Sequence, residues 1–321
     1  MNTVFDMPIK HGNLLKVKFI LSVFLFLMVL TTSSSQEESF NLDSLFLQTI
    51  PNKSYSKSSG PLVYIDKGHN NYHTLQDRFK PFGELLEYDG YKVDELEDIS
   101  SLNQNQPKVL VIANAISETN VSDWNSPILQ AFSEREIDTI VTWVKNGGSL
   151  LLIADHFPFP EAISNLSKAF GFTSSNSFVI KKESKKGWYS YTKHEKTLTT
   201  IGTEIIGKPK LDSIMSFTGH CFKIENKSAI SVFDLNNDYM AILPKKYTNN
   251  GSEDIVMISD LTDWSQGAVA TFGKGKVAFF AEAAMFTTQL YGKDKVPMGF
   301  NAPLAKNNTV FIQGILKWLT N

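Results

Sequence analysis

Cysteine is almost missing: Cys221 is the sole example in 321 residues. One thiol excludes an intramolecular disulfide and any cysteine-cluster zinc site. An excess of either charge is missing too, with 31 basic and 33 acidic residues and a formal net charge of −2. No dense basic patch stands out, so nucleic acid is not an expected partner. After Leu30 no stretch approaches ~18 uninterrupted apolar residues, so no membrane span is expected beyond that point. There is no HExxH metal motif and no internal repeat. Gly273-Lys274-Gly275 fits a hairpin turn rather than a phosphate loop, because no helix follows it. What is present is a globular composition, 42% apolar and 20% charged, ample for a sizeable core.

The N-terminus has the pattern of an address. Lys10, Lys16 and Lys18 precede Phe19–Leu30, in which only Ser22 is polar. Such a run spans about 18 Å as a helix, short of a ~30 Å hydrocarbon core. Thr31, Thr32 and Ser33–Ser35 follow, and cleavage after Ser35 is expected. Residues 1–35 therefore read as a signal peptide, with an uncleaved anchor as the alternative, and the protein as secreted or periplasmic. Residues 36–60, rich in Ser, Asn and Lys, read as a flexible leader. Residues 61–321 read as a single α/β domain.

Within that domain, continuous apolar runs alternate with helical patterns. LVYID (62–66), KVLVIANA (108–115) and SLLLIADH (149–156) have the character of strands buried on both faces. Tyr91, Val93 and Leu96 mark another strand by alternation. Ser133 followed by Glu136 is a capping box opening a helix that stops at Asn146-Gly147-Gly148. A helix is expected from about 161 to 170, and another could begin near His69. Strands alternating with helices predict a doubly wound, mostly parallel sheet. Residues 172–227, rich in Lys and Ser, read as an insertion of irregular or hairpin structure. The C-terminal half is β-rich, with strands expected at 229–235, 239–244, 254–260, 268–273 and 276–286 extending the same sheet. A last helix is expected at about 308–320.

In such sheets ligands bind at the carboxyl ends of the strands. Asp66, His69, Asn71 and His73 follow the first strand, Asn114 the third, Asp155 and His156 the fourth, and Glu282 a late strand. A carboxylate with two imidazoles is a ligand set for Zn²⁺, Mn²⁺ or Fe²⁺. Asp66, His69 and His73 are thus candidate metal ligands, His69 and His73 meeting if they stand i, i+4 on a helix. The alternative is that these residues simply build and cap the turn. Asp155, His156 and Glu282 are candidate catalytic groups, and Asn71, Asn114 and His220 candidate ligand-binding groups. Trp124, Trp188 and Trp264 lie in expected loops where they could stack on a sugar. Cys221 and His220 adjoin, but neighbours on a strand face opposite ways, which argues against a nucleophile–base pair.

The segments PLVYIDKGHNNYHT, KVLVIANA, FSEREIDTIVTWVKNGGSLLLIADHFPFP and AFFAEAAMF together resemble secreted bacterial proteins with a class I glutamine amidotransferase-like domain. That fold group also includes trehalose-utilisation-like proteins and a domain shared by gliding-motility and intraflagellar-transport proteins. The resemblance covers about residues 61–171 well and 254–320 more loosely. It implies a flavodoxin-like three-layer sandwich. It does not carry the amidotransferase chemistry, because the corresponding turn reads Ala154-Asp155-His156-Phe157-Pro158, with no nucleophilic Cys or Ser. Two functions stay open: a module binding a carbohydrate or other small polar molecule at the strand ends, or a hydrolase-like enzyme using Asp66, His69, His73, His156 and Glu282 there.

Overall fold

The computed structural model describes residues 44–321, apart from 51, 185–187, 249–250 and 292–293. The expected signal peptide and most of the front of the leader lie outside the described residues. The strands are β1 (Leu62–Asp66), β2 (Lys92–Leu96), β3 (Val109–Ala113), β4 (Ser149–Ile153), β5 (Phe172–Ser174), β6 (Phe178–Lys181), β7 (Tyr189–Thr192) and β8 (Ser213–Ser216). They continue with β9 (Phe222–Ile224), β10 (Ala229–Asp234), β11 (Tyr239–Thr248), β12 (Gly251–Ile258), β13 (Ser265–Phe272), β14 (Gly275–Phe280), β15 (Thr288–Tyr291) and β16 (Val296–Gly299). The longer helices are α1 (Lys80–Tyr88), α2 (Glu134–Lys145) and α3 (Asn308–Thr320).

The main sheet runs β2-β1-β3-β4-β14-β13-β9-β5, with β10 also on β13. The first five strands are mutually parallel, and the remainder pair antiparallel. This is an α/β fold with a mostly parallel centre and an antiparallel extension. The parallel strands are apolar throughout because both faces are covered. Val63, Ile65, Val109, Val111, Leu151, Ile153, Ala278 and Phe280 share a core with Phe82, Leu85 and Leu86 of α1 and Phe311, Ile312 and Ile315 of α3. The intervening Leu110, Ile112, Leu150 and Leu152 are equally buried and, at the two-residue period, face the other way. β2 is an edge, so it alternates instead: Lys92 and Asp94 are exposed while Val93 and Glu95 between and beyond them are half-buried.

Local sequence explains most boundaries. Ser133 Oγ accepts from the Glu136 N–H, and Glu136 returns a bond to the Ser133 N–H, the expected capping box. Gly273 takes φ +61° in the tight β13–β14 hairpin, a conformation suited to glycine. The final helix falls where the apolar spacing puts it.

Several expectations fail. Helix α1 begins only at Lys80, with Pro81 in its first turn, so His69 and His73 are not helical neighbours. The helix expected at 161–170 is two short pieces, Phe159–Ala162 and Ser164–Ala169. Residues 172–227 are no irregular excursion: β5 and β9 join the main sheet, β6 pairs with β11, and β7 pairs with β8. Nor do all late strands extend the main sheet, since β11 and β12 form a separate sheet with β6. Short strands whose polar half faces outward hid this pattern. Residues 52–60 are docked rather than loose: the Ser54 N–H donates to Asp89 Oδ1 at 2.7 Å and the Gly60 N–H to the Gly90 carbonyl at 2.9 Å. Among the described residues no helix is long and apolar enough to cross a membrane.

Candidate functional site

The carboxyl ends of β1, β3, β4 and β14 carry the polar side chains. Asp66, the last residue of β1, is fully buried. His69 Nδ1–H donates to its two oxygens at 3.0 and 2.9 Å. The other nitrogen, Nε2, lies 3.3 Å from Glu136 Oε1 at the start of α2, and the ring stacks on Phe132 at 4.0 Å. An imidazole facing carboxylates through both nitrogens satisfies both only when it is protonated. Burial works against the charged ring, but Asp66 and then Glu136 outweigh it and hold its pKa above the usual histidine value. For Glu136, burial opposes ionisation, yet the Ser133 hydrogen bonds and His69 bring its pKa below the usual value.

Asn114 occupies the next position along the edge. It follows β3 with φ +53°, a strained region that asparagine tolerates better than most residues. Its side chain is buried and used at both ends. Nδ2–H donates to His73 Nδ1 at 3.1 Å, and Oδ1 accepts from the Asp155 N–H at 2.7 Å. The loop after β1 is thereby tied to the turn after β4. Burial first, then the Arg78 guanidinium and the neighbouring His156 ring, hold the His73 pKa well below the ordinary value.

Ile153 and Phe280 are register partners on β4 and β14. Asp155 and Glu282 each stand two residues further on, so the strand alignment brings two carboxyl groups together. Glu282 is 1% exposed and Asp155 9%. The Glu282 oxygens accept from the Ala284 and Met285 N–H groups at 2.6 and 2.9 Å. Asp155 Oδ1 accepts from the His156 N–H at 2.8 Å. Burial raises both acids, and Asp155 pushes Glu282 well above the carboxylate range. The pair therefore holds a proton where isolated acids would not. His156 Nδ1–H donates to the Phe157 carbonyl at 2.7 Å, which makes Nε2 the lone-pair nitrogen of the neutral ring. The ring stacks on Phe178 at 4.6 Å.

The remaining candidates separate by their contacts. Asn71 is consumed locally, accepting from the His69 N–H and donating to the Ala113 carbonyl. His220 Nδ1–H donates to the Ala154 and Asp155 carbonyls, both at 3.0 Å, and Nε2 accepts from Ser174 Oγ. Burial lowers its pKa to about 3, so it braces the β4 turn as a neutral group. Gly219 lets that segment approach, since a Cβ there would meet the Ala281 carbonyl oxygen at 2.2 Å. Cys221 is buried, with its thiol pushed up to about 12 by that burial. Asp66, His69 and His73 do not form the expected ligand set. Both nitrogens of His69 are engaged by carboxylates, His73 turns to Asn114, and no metal-binding group of three acids, histidines or cysteines exists among the described residues.

Of the tryptophans, Trp124 reaches this edge. It meets Tyr72 at 6.4 Å and Phe159 at 5.7 Å, and Tyr72 meets His73 at 5.7 Å. Tyr72 is 38% exposed, with the Arg78 guanidinium 4.1 Å over its ring. Trp188 packs on Phe217 and Tyr291, and Trp264 lies under Lys223. Sequence reasoning missed Glu136 as a partner of His69, because its capping role already explained it. It also missed Asn120. That buried amide accepts from Ser117 Oγ and the Leu129 N–H and donates to the Asp123 carbonyl, which shapes the loop bearing Trp124.

No protein-family model matches the chain, and no curated protein matches it. Among solved structures, the mmIFT52 N-terminal domain superposes with a TM-score of 0.53 at 14% identity, covering 81% of this chain and 97% of that one. A putative ThuA-like protein from Bacteroides uniformis gives 0.42 at 14% identity over 84% and 95%. A cytoplasmic protein from Salmonella typhimurium gives 0.44 at 13% over 81% and 98%. At such identities the likeness to the mmIFT52 domain is one of fold alone. The chain is an α/β protein with a mostly parallel central sheet and a polar carboxyl edge.

Proposed function

We propose that this is an exported protein that binds a carbohydrate or another small polar ligand at the carboxyl edge of its parallel strands. The observation that carries the reading is an aromatic lip in which Trp124 meets Tyr72 and Tyr72 meets His73, the first of a hydrogen-bonded row that continues through Asn114 to the Asp155 backbone. An aromatic face beside convergent hydrogen-bonding groups is what a sugar ring needs. The strand order β2-β1-β3-β4-β14 supports a flavodoxin-like description, in which the order reverses between β1 and β3 and opens the ligand crevice. Export is supported by Lys10, Lys16 and Lys18 ahead of Phe19–Leu30. A second reading, hydrolysis at the same edge, is favoured by His156, whose Nδ1–H is fixed on a carbonyl and whose Nε2 is free to act as a base beside the proton-holding acid pair.

Saturation-transfer NMR against a panel of mono- and oligosaccharides tests the binding reading. Ring protons of a bound sugar should receive saturation, and Trp124→Ala should abolish it while thermal unfolding stays cooperative. An unchanged signal in that variant, or silence across the panel, overturns it. Turnover of chromogenic glycosides or esters, lost in His156→Gln, would instead favour the hydrolase.

A further inference from the structure

The amino ends of the parallel strands form the pole opposite the carboxyl edge, and the fold gathers there lysines that are scattered in the sequence. Lys108 immediately precedes β3, and Lys276, the second residue of β14, is the register partner of Ser149 at the start of β4. Helices that return across a parallel sheet end at this same pole. Lys145 closes α2, and Lys317 lies in the last turn of α3. The Lys274 N–H donates to the Lys145 carbonyl at 2.9 Å, which ties the β13–β14 turn to the end of α2. Lys53 belongs to the docked leader beside the end of α1, its ammonium 3.9 Å over the Tyr88 ring.

Part of this charge answers the helix ends. Lys108 Nζ donates to the Gly147 carbonyl at 3.0 Å and Lys276 Nζ to the Trp318 carbonyl at 2.7 Å. Yet a helix C-terminus carries only about half a negative charge. The acids at the pole are the exposed Glu87 and the buried Asp89, whose Oδ1 accepts from the Ser54 N–H and from Gln313. Among the described residues none of these lysines is paired with a carboxylate. Positive charge is therefore in excess. Lys276 registers that excess: burial, then the Lys108 charge, lowers its pKa.

Arg78 and Arg135, the only arginines in the chain, stand ahead of α1 and in the first turn of α2, at the far ends of those helices. The pole thus presents compact ammonium charges without a guanidinium fork, a set suited to many diffuse phosphates rather than to one bidentate anion. The parallel strands spread it over about 20 Å. Half-buried rings lie under it, with Lys317 4.0 Å over Tyr55 and Lys276 5.2 Å over Trp318. Tyrosine and tryptophan beside lysine make a surface that suits lipid headgroups.

We propose that this pole docks on an anionic membrane surface, its lysines against the lipid phosphates, which turns the carboxyl edge away from the bilayer. The docking is independent of what that edge binds.

Co-sedimentation of the full chain with phospholipid vesicles tests this. Vesicles of phosphatidylcholine alone are compared with vesicles in which about a quarter of the lipid is phosphatidylglycerol. The chain should prefer the anionic vesicles, and its affinity should fall about tenfold or more as salt rises from about 50 to about 300 mM. The triple variant Lys53→Gln/Lys145→Gln/Lys274→Gln changes exposed lysines of the pole. It should weaken binding about tenfold or more while thermal unfolding stays as in the wild type. Lys196→Gln/Lys210→Gln/Lys306→Gln changes exposed lysines off the pole and should alter binding by less than about twofold. Both variants keep Phe19–Leu30 and the lysines before it, so adhesion through that segment would be common to them and the wild type. Equal binding to both kinds of vesicle, no loss in the pole variant, or an equal loss in the two variants overturns the proposal. Retention on dextran sulfate without binding to vesicles also overturns it, and would assign the pole to a soluble polyanion.

Discussion

Two acidic sets stand at the same sheet edge and are treated in opposite ways. Asp66 is answered by His69, whose second nitrogen is answered by Glu136, so a buried carboxylate, an imidazolium and a helix start form a closed chain. Asp155 and Glu282 stand two residues past aligned ends of neighbouring strands, and the hydrogen-bond donors that reach them among the described residues are all backbone N–H groups. The first set fixes a loop to a helix. The second sets two like groups side by side at a cost to the fold, which is the usual condition of groups kept for a ligand or for proton transfer.

Substitutions can break this contrast. Asp66→Ala should have the largest effect, about 3–5 kcal/mol by chemical denaturation, because it strands a buried imidazolium. The penalty should shrink at higher pH: His69 is held above its ordinary pKa, so its contribution is complete below about 6.5 and fades as the pH rises through the elevated value. Asn114→Ala comes next, at about 2–3 kcal/mol, since it removes two buried hydrogen bonds and leaves a non-glycine residue at positive φ. Asn114→Gly, free of that strain, should recover part of the loss.

The pH profile separates the two sets further. Asp155 and Glu282 are raised by burial, so their contribution is complete below the ordinary carboxylate range and is lost as the pH climbs through their folded values. Denaturation midpoints between about pH 4 and 8 should therefore fall more steeply in the wild type than in Asp155→Asn. His73 and His220, lowered chiefly by burial, act oppositely: their contribution is present above about 6.5 and lost on acidification. Glu136→Gln should be the mildest change, under about 1 kcal/mol, because that side chain is 37% exposed and its charge is screened. An effect as large as that of Asp66→Ala would mean the first set works as an indivisible unit.

The parallel half was readable because each of its strands is an uninterrupted apolar run, and because the residues just past those runs must gather at one edge. Asp66, Asn114, Asp155, His156 and Glu282 could be placed there on that ground. Their partners could not. The pairing of Asp155 with Glu282 depends on β14 inserting beside β4, a long-range alignment that no local pattern encodes. Glu136 looked complete as a helix cap. The turns from Asn70 to Phe79, starting with Asn70 at φ +48°, carried enough apolar residues to mimic a helix, and this produced the mistaken i, i+4 spacing for His69 and His73. The segment around 172–227 misled for the reverse reason: its Lys and Ser residues masked Phe172, Val179, Tyr191 and Ile214, all buried.

Two margins of the main sheet have a consequence for crowding. One is β2, whose exposed positions bear Lys92 and Asp94; another is β5, only three residues long. A charged margin and a truncated one both deny a neighbouring copy the long bare ladder that runaway stacking requires. These two margins thus give the apolar centre of the sheet protection against edge-to-edge pairing on those sides.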